Sequence, residues 1–338
     1  MRVMLAIGRI DDDVVAHLPA ARRLAAGGRD LYQNSTVATD IEAVCRAHQW
    51  QVDIAKVGAG SRQEFAAPDV VVNLVSEPLI CDAALSWLDR FARDTRLPVL
   101  NTVAATRRAC RTALPATLAG QAGVRVPRST RFIGRAGDLP AHIERAGHSW
   151  PVLTRPPGTH GSDGLIRHLD TRLLLADPDR VVDRVVSDFV DTRGPDGLYR
   201  KYRMVWADGR VFRRHAIAAT HWNVNGPARI DMVGRHDLIA AEKAFIAGAD
   251  STLDGRVTAL FRAVGLDVAV IDFAIDPAGD LVVFELNGTF QISGSIPDDK
   301  RPDWGYLETG NATVANAILS TIARLVPRHV SYGVAPLG

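Results

Sequence analysis

Short apolar runs and helical stretches take turns through the N-terminal third of this chain. "RVMLAIG", "QVDIAKVG" and "PDVVVNLVS" have the length and composition of buried strands, and "PVLN" is a shorter one. Between them, "TDIEAVCRAHQW" and "CDAALSWLDRFARDTRL" space their apolar residues as amphipathic helices do. Strands alternating with helices predict a parallel sheet covered by helices. Residues 1–102 are thus expected to form one α/β lobe.

Beyond it the pattern changes by stages. "TRRACRTALPATLAGQAG" is helical in spacing, "VRVPRSTRFI" turns through a proline into a strand, and "LPAHIERAG" predicts a helix. "WPVLTRPP" is a strand that ends in a loop. From "SDFVDT" onward the strands come in adjacent pairs. "LYRKYRMVWADGRVFRRHAIA" is two strands around Asp-Gly, a hairpin signal. "LDVAVIDFAIDPAGDLVVFELNG" is a second strand-turn-strand unit. "HDLIAAEKAFIAGADSTLDGRVTALFRAVG", between the two, is mostly helical. The expected divisions are 1–102, 103–187 and 188–328, with 329–338 a loose tail.

Composition excludes some classes. In 338 residues, 47% are apolar and 23% charged, and the net charge is only +2, so no nucleic-acid or membrane partner is implied. No stretch approaches the roughly 20 apolar residues of a membrane span. The three cysteines, Cys45, Cys81 and Cys110, lie far apart and form no CxxC pair, which fits a reducing, cytoplasmic location.

Candidate chemistry concentrates in three places. Asp272 sits in "AVIDFAI", and Glu285 and Asn287 sit in "VVFELNG". If these strands pair across "DPAGD", the three side chains converge, because residues two apart on a strand share a face. Hard oxygen ligands on one face suit Mg²⁺. The other reading is a turn cap and a solvated strand end, but a carboxylate among Val and Phe is costly without a cation or hydrogen bonds. "LTRPPGTHGSDGLIRH" carries Gly158, Gly161 and Gly164 and follows a strand, so its N–H groups could approach phosphate; an ordinary flexible loop has the same composition. It is not a Walker A loop. In "VVNLVSEP", Asn73 and Glu77 follow a strand, where open α/β sheets gather ligands; turn chemistry before Pro78 explains them equally well.

Together these motifs resemble the ATP-grasp superfamily, and within it the glutathione synthetase and ribosomal-protein glutamate ligase branch. "PVLTRPPGTHGSDGL" resembles that branch's glycine-rich loop, "VVSDFVD" its hinge, and "DVAVIDFAID…LVVFELNG" its metal site. The resemblance covers roughly residues 70–300. It implies an α/β plus α+β architecture: an N-terminal α/β lobe followed by two α+β subdomains that clamp ATP. It also implies an ADP-forming ligase in which ATP activates a carboxylate as an acyl phosphate and an amine attacks it. ATP and Mg²⁺, or Mn²⁺ in its place, are the implied cofactors. The implied partners are a small amino acid or peptide, with a protein tail as second choice. A homodimer is the commonest assembly in general.

Residue by residue, the resemblance assigns Asp272, Glu285 and Asn287 to the metal. It assigns Asp188, Phe189 and Val190 to the adenine hinge, and Gly158, Gly161, Ser162 and Gly164 to the phosphate lid. Arg203 matches the arginine that contacts the acyl or γ-phosphate, and Arg213 with Asn223 matches a second pair beside it. Planar guanidinium forks suit phosphate and carboxylate; a solvated basic hairpin is the alternative. Arg155 stands where the family has Lys, and Arg111 or Arg108 replaces a second nucleotide-binding Lys. Lys201 stands where the family has Asp. His160, His221 and Trp222 are candidates for lining the acceptor pocket. Two rival functions remain, a nucleotide binder that has lost catalysis and a kinase that makes no amide.

Overall fold

The computed structural model describes residues 1–15, 35–58, 61, 67–171, 177–248, 250–292 and 304–326. The expected tail at 329–338 lies outside them. The strands are β1 (Arg2–Gly8), β2 (Gln51–Val57), β3 (Val70–Asn73), β4 (Val99–Leu100), β5 (Val124–Arg125), β6 (Ser129–Arg135), β7 (Val152–Arg155), β8 (Ile166–His168), β9 (Val181–Asp188), β10 (Tyr199–Ala207), β11 (Arg210–Ala219), β12 (Ala269–Ile275) and β13 (Leu281–Asn287).

The N-terminal lobe is a parallel sheet in the order β2-β1-β3-β4. Val3, Leu5 and Ile7 of β1 pack against Val37 and Ile41 of the helix Ser35–Ala47, and Met4 and Ala6 face the other side with Leu85 and Leu88 of the helix Asp82–Thr95. A strand buried on both faces is apolar throughout, which is why "RVMLAIG" shows no alternation.

A central antiparallel sheet, β6-β9-β7-β8, has its own interior around Phe132, Leu139, Ile143, Val152 and Val186. The third sheet, β11-β10-β12-β13-β5, is antiparallel except where β5 runs parallel to β13. Ala207 pairs with Arg210 across Asp208 and Gly209, both at positive φ (53° and 70°), so the Asp-Gly hairpin forms as expected. One face of this sheet, with Met204, Trp206, Ile271, Phe273 and Leu286, packs on Leu253, Val257, Leu260 and Phe261 of the helix Ser251–Val264. That helix starts at Asp250, whose side chain accepts from the N–H groups of Thr252 and Leu253. The expected long helical stretch is therefore two helices, the other being His236–Ala247.

Two features depart from the expected divisions. Residues Ala105, Leu114 and Leu118 pack into the interior of the third sheet, and β5 joins that sheet, so the segment from 103 to 125 belongs there and not with the central sheet. The opposite face of the third sheet shares one interior with the N-terminal lobe: Val205, Ala207, Val268 and Val270 cluster with Val3, Leu5 and Val72 and with Val314, Ile318 and Ile322 of the helix Asn311–Leu325. Asn101, at φ 60°, sits at this junction. Its Nδ2 donates to Val268 O (2.8 Å) and Gly288 O (3.0 Å), and its Oδ1 accepts from the N–H of Asp267 (2.9 Å) and Val268 (3.1 Å).

The third sheet contains two irregularities. On β11, Arg203 faces His215 and Met204 faces Arg213, which leaves Arg214 as an extra residue. On β13, Asp272 faces Glu285 and Phe273 faces Val283, which leaves Phe284 extra. Such bulges re-aim side chains and favour active-site edges.

Candidate active site

A cavity open to solvent lies between the central and third sheets. Leu153 and Val185 line it from the central sheet, Phe284 from the third, and Leu114 and Val126 from the segment between. This apolar part continues to Asp188, Phe189 and Val190 at the end of β9. The N–H of Asp188 donates to Arg128 O (3.0 Å) and that of Phe189 to Pro151 O (3.3 Å). The Asp188 carboxylate meets His148 Nδ1 at 2.7 Å. The ring of Phe189 lies edge-on to Trp222 at 5.9 Å, with the Arg167 guanidinium 3.8 Å from its centre.

The other end of the cavity is charged. Asp272, 3% exposed, accepts from Arg203 Nε (2.6 Å) and Nη2 (2.7 Å), with Lys201 Nζ at 3.2 Å. Burial alone would raise its pKa, but Arg203 and then Lys201 hold it well below the usual carboxylate range. Burial works against the Arg203 cation, and Asp272 overcomes this and raises its pKa. Glu285 accepts from Arg111 Nη2 at 2.6 Å, and Arg111 Nη1 donates to Phe284 O at 2.9 Å. Glu285 too is lowered despite burial, chiefly by Arg111. Arg155 is buried and its Nε donates to Thr159 Oγ1 (3.0 Å) within the glycine loop. Burial and then Arg111 push it down to about 10, so it remains cationic at neutral pH.

The loop after β7 takes positive φ at Gly158 (65°), Gly161 (61°), Ser162 (71°) and Gly164 (64°). A Cβ on Gly164 would sit 2.7 Å from Pro156 Cδ, so only glycine fits there. Ser162 holds its left-handed backbone while its Oγ donates to Asn223 Oδ1 at 2.5 Å. His160 Nε2 lies 3.3 Å from Glu77 Oε1. Burial raises the pKa of Glu77, against the lowering pull of His160 and Arg111. The loop thereby touches both the third sheet's connection and the N-terminal lobe.

A second cavity, also open to solvent, adjoins the first. Gly161, Lys201, Arg203 and Glu285 line both. Asn287 lines the second cavity; it pairs with Val270, two residues beyond Glu285 and on the same face. The expected trio therefore shares one face of the sheet. Each carboxylate oxygen pair retains lone pairs beyond those given to guanidinium, so two carboxylates and a carboxamide can hold a hard dication. Among the described residues no three His, Cys, Asp or Glu side chains form a metal cluster.

Four sequence assignments fall elsewhere. Arg213 is on the helix face, where Nη2 meets Asp254 Oδ1 at 2.8 Å and Nη1 donates to Phe245 O; the extra residue on β11 turns Arg214 toward the cavity in its stead. Asn73 is buried, with Nδ2 donating to Asn101 O (2.9 Å) and Thr106 Oγ1 (3.0 Å) and Oδ1 accepting from Val75 N–H, so it pins the β3–β4 end and does not face a substrate. His221 is exposed beside Asp231 and lines neither cavity. Arg108 donates to Val264 O, so of the two candidates it is Arg111 that lines the cavity. Sequence reasoning missed Arg214, His215 and Arg229 in the second cavity. The doubled arginine in "VFRRHA" was the one signal, and its pairing register decides which of the two matters.

No family model matches the chain, and no curated protein matches it. Solved structures do. A RimK domain ATP-grasp protein from Sphaerobacter thermophilus is 15% identical, covers 96% of this chain and 100% of its own, and superposes with a TM-score of 0.51. The D-alanine–D-alanine ligase of Bacillus anthracis is 10% identical, with 96% and 98% covered and a TM-score of 0.54. The VanG D-Ala:D-Ser ligase of Enterococcus faecalis is 11% identical, with 95% and 99% covered and a TM-score of 0.51. The chain has the ATP-grasp fold.

Proposed function

We propose that this protein is an ATP-dependent ligase that activates a carboxylate as an acyl phosphate and transfers the acyl group to an amine of a small amino acid or peptide. One observation carries the reading: two cavities, one apolar with a charged end and one of mixed lining that carries Arg214 and Arg229, meet at a wall made of Gly161, Lys201, Arg203 and Glu285. A nucleotide in the first would bring its terminal phosphate to that wall, and substrates in the second would meet it there. The fold shared with the D-alanine–D-alanine ligase and the D-Ala:D-Ser ligase supports the same class.

In this reading the adenine lies among Leu153, Val185 and Phe284, and the hinge meets it through backbone groups. The N–H groups of Asp188 and Phe189 are committed elsewhere, so these two residues contribute carbonyl oxygens. Arg111 and Arg155 face the phosphates, and the Gly158–Gly164 loop closes over them. Asp272, Glu285 and Asn287 would hold Mg²⁺, which when bound offsets charge on the phosphates. A substrate carboxylate oxygen attacks the γ-phosphorus, and the bond to the β–γ bridging oxygen breaks to leave ADP. The amine nitrogen then attacks the acyl carbon, the carbon–oxygen bond to phosphate breaks, and the nitrogen loses a proton. Arg203, anchored by Asp272, is the donor placed to stabilise charge at the transferred phosphoryl group.

An ADP-release screen over amino acids and dipeptides, with mass spectrometry of products, tests this. A product equal to two substrates less one water is expected. Nucleotide binding without ADP release from any mixture would favour a binder without turnover, and a phosphorylated product lacking an amide would favour a kinase.

A further inference from the structure

The second cavity has more positive than negative charge, and the pairings show which cation has no carboxylate partner among the described residues. Lys201 and Arg203 share the single carboxylate of Asp272, and Arg229 is matched by buried Glu242 through two contacts of 2.7 Å. Glu285 is taken by Arg111. Arg214 is the exception: its partner among the described residues is the neutral Asn311, whose Oδ1 accepts from Nη2. A Cβ on Gly310 would lie 2.7 Å from Arg214 Nη1, so this guanidinium rests against the first turn of the helix Asn311–Leu325. Gly310 supplies no side-chain cap, and the helix presents its positive end here. His215, next in sequence, lines the same cavity; its Nε2 is shut off from solvent with no hydrogen-bond partner among the described residues. Burial, then Arg203, keeps the ring neutral, and a neutral ring can donate through Nε2. Burial and Arg203 also disfavour the Arg214 cation. A half-buried cation without a carboxylate and a sealed donor beside it are satisfied together by one anion.

We propose that the second cavity takes an acidic substrate, an amino-acid or peptide amine whose side chain carries a carboxylate that does not react, and that Arg214 grips that side-chain carboxylate with His215 beside it. The proposal rests on the ligase reading for the identity of the reacting amine, and on the cavity alone for the charge of its occupant. The bulge in β11 is what turns both side chains onto this face.

The test uses the full chain and isosteric pairs, aspartate against asparagine and glutamate against glutamine, as free amino acids and at the ends of dipeptides. Where a pair supports ADP release, kcat/KM should favour the acid at least about tenfold, and Arg214→Gln should lower the acid's value about 10- to 100-fold, mostly through KM, the scale of one lost charged hydrogen bond. That variant should leave the KM for ATP unchanged and erase the preference, and Arg214→Lys should restore part of it. Equal use of acid and amide, or a preference that survives Arg214→Gln, overturns the proposal. If no pair supports ADP release, calorimetry with the same pairs on ATP-loaded protein reads the cavity directly, and the ligase reading is left to the wider screen. Acid binding that Arg214→Gln removes upholds the site, and absence of acid binding overturns it.

Discussion

The two faces of the third sheet are built from the same strands and have little else in common. The face toward the helix Ser251–Val264 carries Met204, Trp206, Ile271, Phe273 and Leu286, and the charge pair of Arg213 with Asp254 stays on that side. The face toward the cavities carries Lys201, Arg203, Asp272, Glu285 and His215. Strict alternation would have separated the two sets by counting. It fails twice, at Arg214 and at Phe284, and both failures fall beside the charged cluster. The apolar face needs regular spacing to fill its interior. The charged face needs particular atoms in particular places, and a bulge supplies the shift that a regular ladder cannot.

Substitutions on one face should therefore change turnover, and substitutions on the other should change only stability. The largest effect is expected from Glu285→Gln, which keeps the shape and removes the charge: ADP release should fall on the order of 10²–10³-fold. Undiminished turnover in that variant would remove Glu285 from the site. Arg203→Met should lower turnover about 100-fold while ATP affinity, read by calorimetry, stays within a few-fold. It should also destabilise the fold by about 3 kcal/mol, because buried Asp272 is left with Lys201 alone. Arg213→Met, a change of the same kind ten residues away on the other face, should leave both kinetic constants unchanged. Its cost should be about 1 kcal/mol, since Asp254 is 31% exposed, and should appear as a small drop in Tm. A kinetic defect there would erase the distinction between the faces.

The smallest effect concerns pH. Burial, with Arg203, Arg229 and Lys201 nearby, holds the folded pKa of His215 well below its ordinary 6.5, although Asp272 pulls the other way. Below pH 6.5 the unfolded chain then binds a proton that the folded chain refuses, so this residue makes stability fall as pH drops from 6.5 toward the folded value. Urea melts across that window should show a shallower decline for His215→Gln than for the unaltered protein.

Much of the fold is legible in the sequence because it follows from local pattern. The parallel strands of the first lobe, the Asp-Gly hairpin and the Asp272–Glu285 pairing all arise from runs of apolar residues and from turn chemistry. What stays hidden depends on register or on distant partners. Nothing near Arg213 and Arg214 tells which of them the ladder skips. Asn73 looks like a ligand-binding residue until Thr106, 33 positions on, accepts its amide hydrogen. β5 and β6 are separated by a few residues around Pro127 and enter different sheets, a choice made by packing against the helix Ser251–Val264 and the central interior, not by propensity.

The junction at Asn101 has a mechanical meaning. Its carboxamide clasps Asp267, Val268 and Gly288, and the apolar interior beneath it runs unbroken from β1 to the helix Asn311–Leu325. Prising the first lobe from the third sheet would expose that whole interior to water. The central sheet has a separate interior of its own and, among the described residues, is held to the rest by lighter contacts such as Ser162 to Asn223 and His160 to Glu77, so it is a light jaw against a heavy anvil of two fused parts. Amide exchange should show the anvil opening as a single slow unit and the jaw opening faster, by itself.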